Sequence, residues 1–497
     1  MGSKLRPRIP GGFRDQTAAD VEARRAMLDT LRGIYELHGF EPLETPHVEV
    51  AECLGKFMPE AEEQPDAGIF SFQADYDEWV SLRYDLTAPL ARYFAQNHQS
   101  LPRPFRRYQV GTVFRVEKWG PGRFREFTQC DFDTVGTKSV AADAEVCMVF
   151  SQAMEALGIP AGDYRVQVNN RKVLNGVLEV AGVGATDPAQ VGAVLRAMDK
   201  FDKFGAEGVS LLLGAGRKDA SGDFTKGAGL EPAQIDAIVQ VLVSGQRAGG
   251  EAERGKVLEA LGRAVAGSQT GEEGVAELEE MHAMLDAAGF TSDRVGFEPS
   301  IVRGLEYYTG PVFECELTFQ VPDSKGRLRS YGSVASGGRY DGLVKRFIGQ
   351  EVPATGGSVG VDRLLAALQA KGRIASEWTG PVVVTVMSKR RRHLYQQMVS
   401  ELRAAGIRAE MYLGTKGFGA QMKYADRRNS PLAIIAGGDE FDRGIVQLKD
   451  LVLGKEMSKD IADRAAWTES RPAQWEVSRD GMVAAVQAAL ATIGQAG

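Results

Sequence analysis

The sequence predicts an α+β protein: an antiparallel sheet with flanking helices, interrupted by a helical insertion and followed by a smaller C-terminal α/β domain. Three stretches carry that prediction. Residues 105–136 read as two extended arms around a break at Lys118, Trp119, Gly120, Pro121 and Gly122, the pattern of a hairpin with a flexible loop. Residues 169–296 place apolar side chains at helical spacing between loops rich in Gly, Ala and Glu, the pattern of a helical insertion. From about Gly380 onward, apolar β-type runs alternate with helical ones, as in an α/β domain.

The chain's 497 residues exceed one ordinary core, so two to four domains are expected. A hydrophobic content of 43% and a charged content of 25% are those of a soluble globular protein. The net charge of −7 argues against a basic nucleic-acid coat, yet allows a local basic surface. Cys53, Cys130, Cys147 and Cys315 are scattered without metal-ligand spacing, and the five histidines form no cluster. Reduced thiols and no tightly bound protein metal follow. The basic start, MGSKLRPRIPGG, leads into no apolar run, and no stretch spans a bilayer, so the expected location is the cytoplasm, with no membrane partner.

In chain order, Thr17 or Asp20 caps a helix running to about His38, with Val21, Leu28, Leu31 and Tyr35 at helical spacing and Gly39 as its stop. The run FEPLETPHVEV reads as a strand at an edge or bulge, because it contains Pro46. Asp85 and Thr87, one residue apart, put both oxygens on one side of an extended segment. The other reading makes them a capping pair before a helix starting near Pro89.

In the hairpin, alternation places Arg115 and Glu117 on one face of the first arm. Arg123, Arg125, Gln129, Asp131 and Asp133 share one face of the second. A half-exposed sheet also shows a polar face. The mixture of types points further: arginine forks match phosphate oxygens, while carboxylates with an amide accept from an ammonium group. That chemistry suits a nucleotide beside a small zwitterion.

After a helix at about 140–157 and a strand at 164–168, the helical region runs to about Gly296. Strand character returns at Phe297 and reaches Arg303, Tyr307 and Tyr308. A polar hairpin lies around residues 323–326, SGGRYDGL contains Tyr340, and GGSVGVDRLLAAL reads as a strand into a helix carrying Arg363. The last domain carries basic patches at 389–392 and 423–428.

Phe114, Arg115, Val116 and Glu117, then Gly122 to Phe127 (GRFREF) and Gln129, resemble motif 2 of class II aminoacyl-tRNA synthetases, most closely the histidyl-tRNA synthetases. Residues 17–50 look like motif 1, residues 356–368 like motif 3, and Arg303 with Tyr307 and Tyr308 like a signature of that family. The resemblance implies a class II catalytic core at 1–168 (motifs 1 and 2) and 297–375 (the histidine signatures and motif 3). It implies an insertion domain at 169–296 that closes over the acceptor end of tRNA, and an anticodon-binding domain at 380–497.

It further implies activation of histidine by ATP, with its Mg²⁺, to histidyl-adenylate and pyrophosphate, then transfer to the 3′ end of histidine tRNA by a homodimer. On this reading Arg303 and Arg115 act on the α-phosphate, Arg123 and Arg363 hold ATP, and Glu117 lies on the nucleotide side. Asp85, Thr87, Gln129, Asp133, Arg303, Tyr307, Tyr308 and Tyr340 form the histidine pocket. No Walker A or GxGxxG string occurs, so arginines on a sheet must hold the phosphates.

The alternative is the family's non-charging regulatory paralogue, which binds histidine and controls ATP phosphoribosyltransferase. It typically lacks a C-terminal domain, whereas here Arg303, Arg363 and the terminal α/β domain are present. One departure falls in the loop Lys118, Trp119, Gly120 and Pro121, where many bacterial relatives carry an arginine, proline and glutamine sequence. The expectation is that charging here does not depend on the extra 5′ guanosine of histidine tRNA.

Overall fold

The computed structural model describes residues 5–54, 68–75, 78–116, 118–120, 123–183, 187–218, 222–244, 246–247, 250–251, 253–302, 304, 307–322, 326–374, 378–457 and 473–495. Glu117, Arg303, Glu306, residues 121–122 and residues 323–325 lie outside them. The chain forms two compact units, Met1–Ile374 and Ala375–Gly497.

In the first unit, helix α1 (Ala18–Leu37) starts at a capping box in which Thr17 and Asp20 exchange backbone and side-chain bonds. Its inner stripe is Ala23, Met27, Leu28, Leu31 and Tyr35, while Val21, in the first turn, is exposed. The run FEPLETPHVEV is not one strand. Strand β1 (Glu41–Pro42) joins the large sheet, and a second short strand, Val48–Val50, joins a separate three-stranded sheet; Pro46, which has no N–H to give a ladder, falls between them.

Helix α2 (Thr87–Asn97) begins two residues before Pro89. Then come β2 (Phe105–Phe114), β3 (Glu126–Val135), α3 (Ala141–Ala156) and β4 (Tyr164–Asn170). Helices α4 (Arg171–Val180), α5 (Pro188–Met198), α6 (Phe201–Leu213), α7 (Pro232–Val243), α8 (Arg254–Ala264) and α9 (Gln269–Ala287) follow. The first unit closes with β5 (Val295–Phe297), β6 (Pro311–Leu317), β7 (Ser333–Arg339), β8 (Ala354–Gly360) and α10 (Val361–Ala370).

Among the described residues the large sheet has eight strands in the order β1-β2-β3-β8-β7-β6-β4-β5. The outer pairs β1 with β2 and β5 with β4 are parallel; the pairs between β2 and β4 are antiparallel.

Alternation along β3 sorts its side chains. Cys130 and Phe132 point into the core, where the Phe132 ring lies 4.8 Å from Tyr35, 5.4 Å from Phe40 and 5.4 Å from Phe150. Truncating a phenylalanine buried this way typically costs about 3–5 kcal/mol. Gln129, Asp131 and Asp133 are thereby left on the opposite face, across from Arg107, Gln109 and Gly111 of β2. Helices α4 to α9 share the core with the sheet, α9 packing on both α3 and α4. Asn170 caps α4 through the Lys172 amide.

The second unit is a mixed sheet of β9 (Val382–Val384), β10 (Ala409–Met411), β11 (Leu432–Ile435), β12 (Ile445–Asp450) and β13 (Gln474–Ser478), in the order β10-β9-β11-β12-β13. Helices α11 (Arg392–Ala404), α12 (Phe418–Arg427) and α13 (Met482–Gln495) accompany it. The expected strand and helix alternation is present, with a final strand and helix beyond the segments read from sequence. Of the basic residues, Arg391 pairs with Asp442 and Arg428 with Glu410, while Lys389, Arg390, Arg392, Lys423 and Arg427 are exposed.

Candidate active site

The polar face of the hairpin ends in a buried acidic pocket. Asp131 and Asp133 are 2% and 3% exposed, on β3 next to Ser358 and Gly356 of β8. Arg107, fully buried on β2, lies opposite Asp133 with Nη2 at 2.8 Å from its Oδ2, and donates the same nitrogen to the Leu86 carbonyl. Burial pushes Asp131 up to about 7 against the pull of Arg107, and raises Asp133 as well. Asp131 Oδ1 and Gln129 Oε1 are buried without a hydrogen-bond partner among the described residues.

Three tyrosines wall the pocket. Tyr340 donates to Asp133 Oδ1 at 2.5 Å, and its ring stacks 5.3 Å from that of Tyr307. Tyr307 in turn meets Tyr308 edge-on at 5.1 Å. The Tyr308 ring fits only because Gly304, at φ +65°, and Gly338 carry no side chain; a Cβ on Gly338 would lie 2.6 Å from it. Arg339, the last residue of β7 and the neighbour of Tyr340, pairs with the buried Asp143.

Asp85 and Thr87 form the capping pair, and the extended reading does not hold, because Thr87 already lies in the first turn of α2. Asp85 Oδ1 accepts the amides of Thr87 at 3.1 Å and Ala88 at 2.9 Å, capping α2. It also sits within electrostatic reach of Tyr307, Tyr308, Asp131 and Asp133, and burial raises its pKa. The Thr87 amide spent on that cap starts the helix, which is why α2 begins earlier than the proline suggested.

Beside the pocket opens a cleft of about 220 Å³, lined by Arg115, Arg123, Phe124, Phe127, Gln129, Ser358, Asp362 and Arg363 among others. Arg115 donates Nε to the Tyr84 carbonyl at 3.0 Å and lies 5.3 Å above the Phe127 ring. Arg363 donates Nη1 to the Ser333 carbonyl at 2.7 Å. Gln129 belongs to both spaces, donating Nε2 to Ser358 at 2.8 Å.

The structure therefore gathers Arg115, Arg123, Arg363 and Gln129 in the cleft, and Asp85, Asp133, Tyr307, Tyr308 and Tyr340 in the pocket. Arg125 departs from the expected face: β3 starts only at Glu126, and Arg125 Nη1 turns to the Gly11 carbonyl at 3.3 Å. Sequence reading missed Arg107, whose place opposite Asp133 is legible only once the hairpin register is known. It also missed Asp362, although it adjoins Arg363.

A family model described as histidyl-tRNA synthetase matches residues 12–364. The chain belongs to the histidyl-tRNA synthetase family. It is thus a class II aminoacyl-tRNA synthetase. An anticodon-binding domain model matches residues 381–488 of the synthetase. A histidine–tRNA ligase of Cereibacter sphaeroides is 57% identical over 490 residues, covering 97% of this chain and 98% of its own. One of Roseobacter denitrificans is 54% identical over 510 residues, covering 98% and 97%. Among solved structures, the histidyl-tRNA synthetase of Nostoc sp. PCC 7120 superposes with a TM-score of 0.73 at 29% identity, covering 97% of this chain and 99% of that one.

Proposed function

We propose that the synthetase, a histidine–tRNA ligase, activates histidine with ATP across the boundary between pocket and cleft, then passes it to the 3′ end of histidine tRNA. The supporting observation is the buried acceptor row of Gln129 and Asp131 at the edge of an arginine-lined cleft. Carboxylates held this far from solvent gain most from a cationic guest, and the ammonium of an amino acid is one. Asp85, Thr87, Gln129, Asp131 and Asp133 face that ammonium and the imidazole N–H groups. Tyr307, Tyr308 and Tyr340 enclose the ring.

Arg115 steadies the α-phosphate, Arg123 and Arg363 hold the rest of ATP, and Mg²⁺ accompanies its phosphates. Arg303 and Glu117 are assigned to the α-phosphate and the nucleotide side on resemblance alone. A carboxylate oxygen of histidine attacks the α-phosphorus, forming the acyl–phosphate bond as the bond to pyrophosphate breaks. A ribose hydroxyl of the tRNA end then attacks the acyl carbon and AMP leaves. No side-chain nucleophile takes part; positioning and charge stabilisation supply the rate.

Helices α4 to α9 are assigned to the acceptor arm and the second unit to the anticodon, with a homodimer in the cytoplasm as the working form. No described helix is long and apolar enough to cross a membrane. Charging independent of the extra 5′ guanosine remains part of the proposal, on the unusual loop around Trp119. The regulatory reading is not favoured, because the relatives that match over nearly the whole chain are ligases.

The test is ATP–pyrophosphate exchange with each of the twenty amino acids in the absence of tRNA. Exchange with histidine alone supports the reading; none with any amino acid, from folded protein that binds histidine, refutes it. In the same assay Arg303→Ala lowers adenylation by about 10²-fold, the typical loss of one preorganised charge partner.

A further inference from the structure

We propose that residues 10–14 form a strap that holds the nucleotide cleft in its binding shape, and that Arg14 is the positioning residue of that strap. The inference rests on the cleft being the ATP site. Arg14 is distant from the cleft in sequence yet joins two of its walls. Its Nη2 lies 2.6 Å from Oδ1 of Asp362, in the first turn of α10, and its guanidinium stacks 4.0 Å over the Phe124 ring from the hairpin. Asp362 Oδ2 accepts the Thr128 amide of β3 at 2.7 Å, so this one carboxylate ties Arg14, α10 and β3 together.

The rest of the strap anchors to the same hairpin. The Gly12 carbonyl accepts the Arg125 amide at 2.9 Å, and the Gly11 carbonyl accepts Arg125 Nη1 at 3.3 Å. Gly12 sits at φ +86°, where a Cβ would lie 2.8 Å from Arg125, so only glycine lets the chain lie this close. Phe13 packs edge-on to Phe70 at 5.9 Å, and a Cβ on Gly11 would lie 3.4 Å from the Trp119 indole.

The charge arrangement says what Arg14 does. Asp362 is an anionic group, 6% exposed, in the same cleft as Arg123 and Arg363. With Arg14 in place, the carboxylate has its own cation. Without it, Asp362 keeps one amide donor and draws on the arginines assigned to phosphate, so nucleotide must compete with it. The cost falls on ATP and not on histidine, whose pocket lies on the far side of Gln129.

The experiment is histidine-dependent ATP–pyrophosphate exchange with Arg14→Ala, Arg14→Lys and the pair Arg14→Ala with Asp362→Asn. Expected results are a rise in the KM for ATP of about tenfold for Arg14→Ala, about threefold for Arg14→Lys, which keeps the charge but not the stacked fork, and partial recovery in the double variant. The KM for histidine stays within about twofold throughout.

An unchanged KM for ATP, or equal changes for both substrates, overturns the proposal. Should Arg14→Ala lack a cooperative melting transition, Arg14→Lys decides by the same split. Wild-type protein that exchanges with no amino acid overturns the functional reading, and this inference with it; wild-type exchange with no effect at Arg14 overturns only the inference.

Discussion

The pocket and the cleft are neighbours on one sheet face but are built on opposite terms. The pocket is buried, lined by carboxylates and walled by tyrosines; burial pushes Asp131 up to about 7 and raises Asp133 as well. The cleft is open and cationic, with arginines that bond main-chain carbonyls. On the proposed assignment the small zwitterion takes the deep space, where groups have already lost their water, and the polyanion takes the roomier one with its directed cations. One strand would then serve both, because Gln129 stands where burial changes along β3.

The contrast is broken most severely at Gly338. Gly338→Ala pushes the Tyr308 ring into the pocket and lowers kcat/KM for histidine by about 10²-fold, as small misplacements near a reacting group do. The KM for ATP stays near wild type in the same exchange assay.

Asp131→Asn sharpens it next. In the wild type, histidine affinity by calorimetry rises with pH through about 7, as the Asp131 carboxylate ionises and gains an ammonium partner. In Asp131→Asn that rise flattens and affinity above pH 7 falls by about tenfold, the worth of one buried charge partner. The ligand-free protein moves the other way. A folded-state pKa raised from 3.8 to about 7 means the folded chain holds a proton that the unfolded chain releases. The stability this supplies is complete below pH 4 and lost as pH rises through 7, so the wild-type melting temperature falls over that window more than that of Asp131→Asn.

Tyr340→Phe has the smallest effect. It removes one donor from Asp133, weakening histidine binding by about five- to tenfold, in line with about 1–1.5 kcal/mol for a bond to a charged group partly replaced by water. Titration of Asp133 by NMR moves upward, since Tyr340 favours the charged form.

Much of the hairpin was legible because alternation is a property of the strand itself. Gln129, Asp131 and Asp133 share a face for that reason. The reading failed at Arg125, where the strand had not yet begun, and at FEPLETPHVEV, where one apolar run serves two sheets. What sequence spacing does not hold is register and distance in space. Arg107 opposite Asp133, Gly338 against Tyr308 and Arg14 on Asp362 are pairings between segments whose separation along the chain says nothing about their contact.

The pairing of β3 with β8 has a kinetic consequence. Gln129 and Ser358, bonded across that ladder, are 229 residues apart in sequence. The hairpin of β2 and β3 closes over a short loop, whereas β8 reaches β3 only by closing a separation of 229 residues, and pairings of high contact order form slowly. The pocket and the cleft both border that seam. On refolding from denaturant, secondary structure is therefore expected to return first and catalytic competence last, and a chain released before β8 is made lacks Ser358, Asp362 and Arg363 of the cleft.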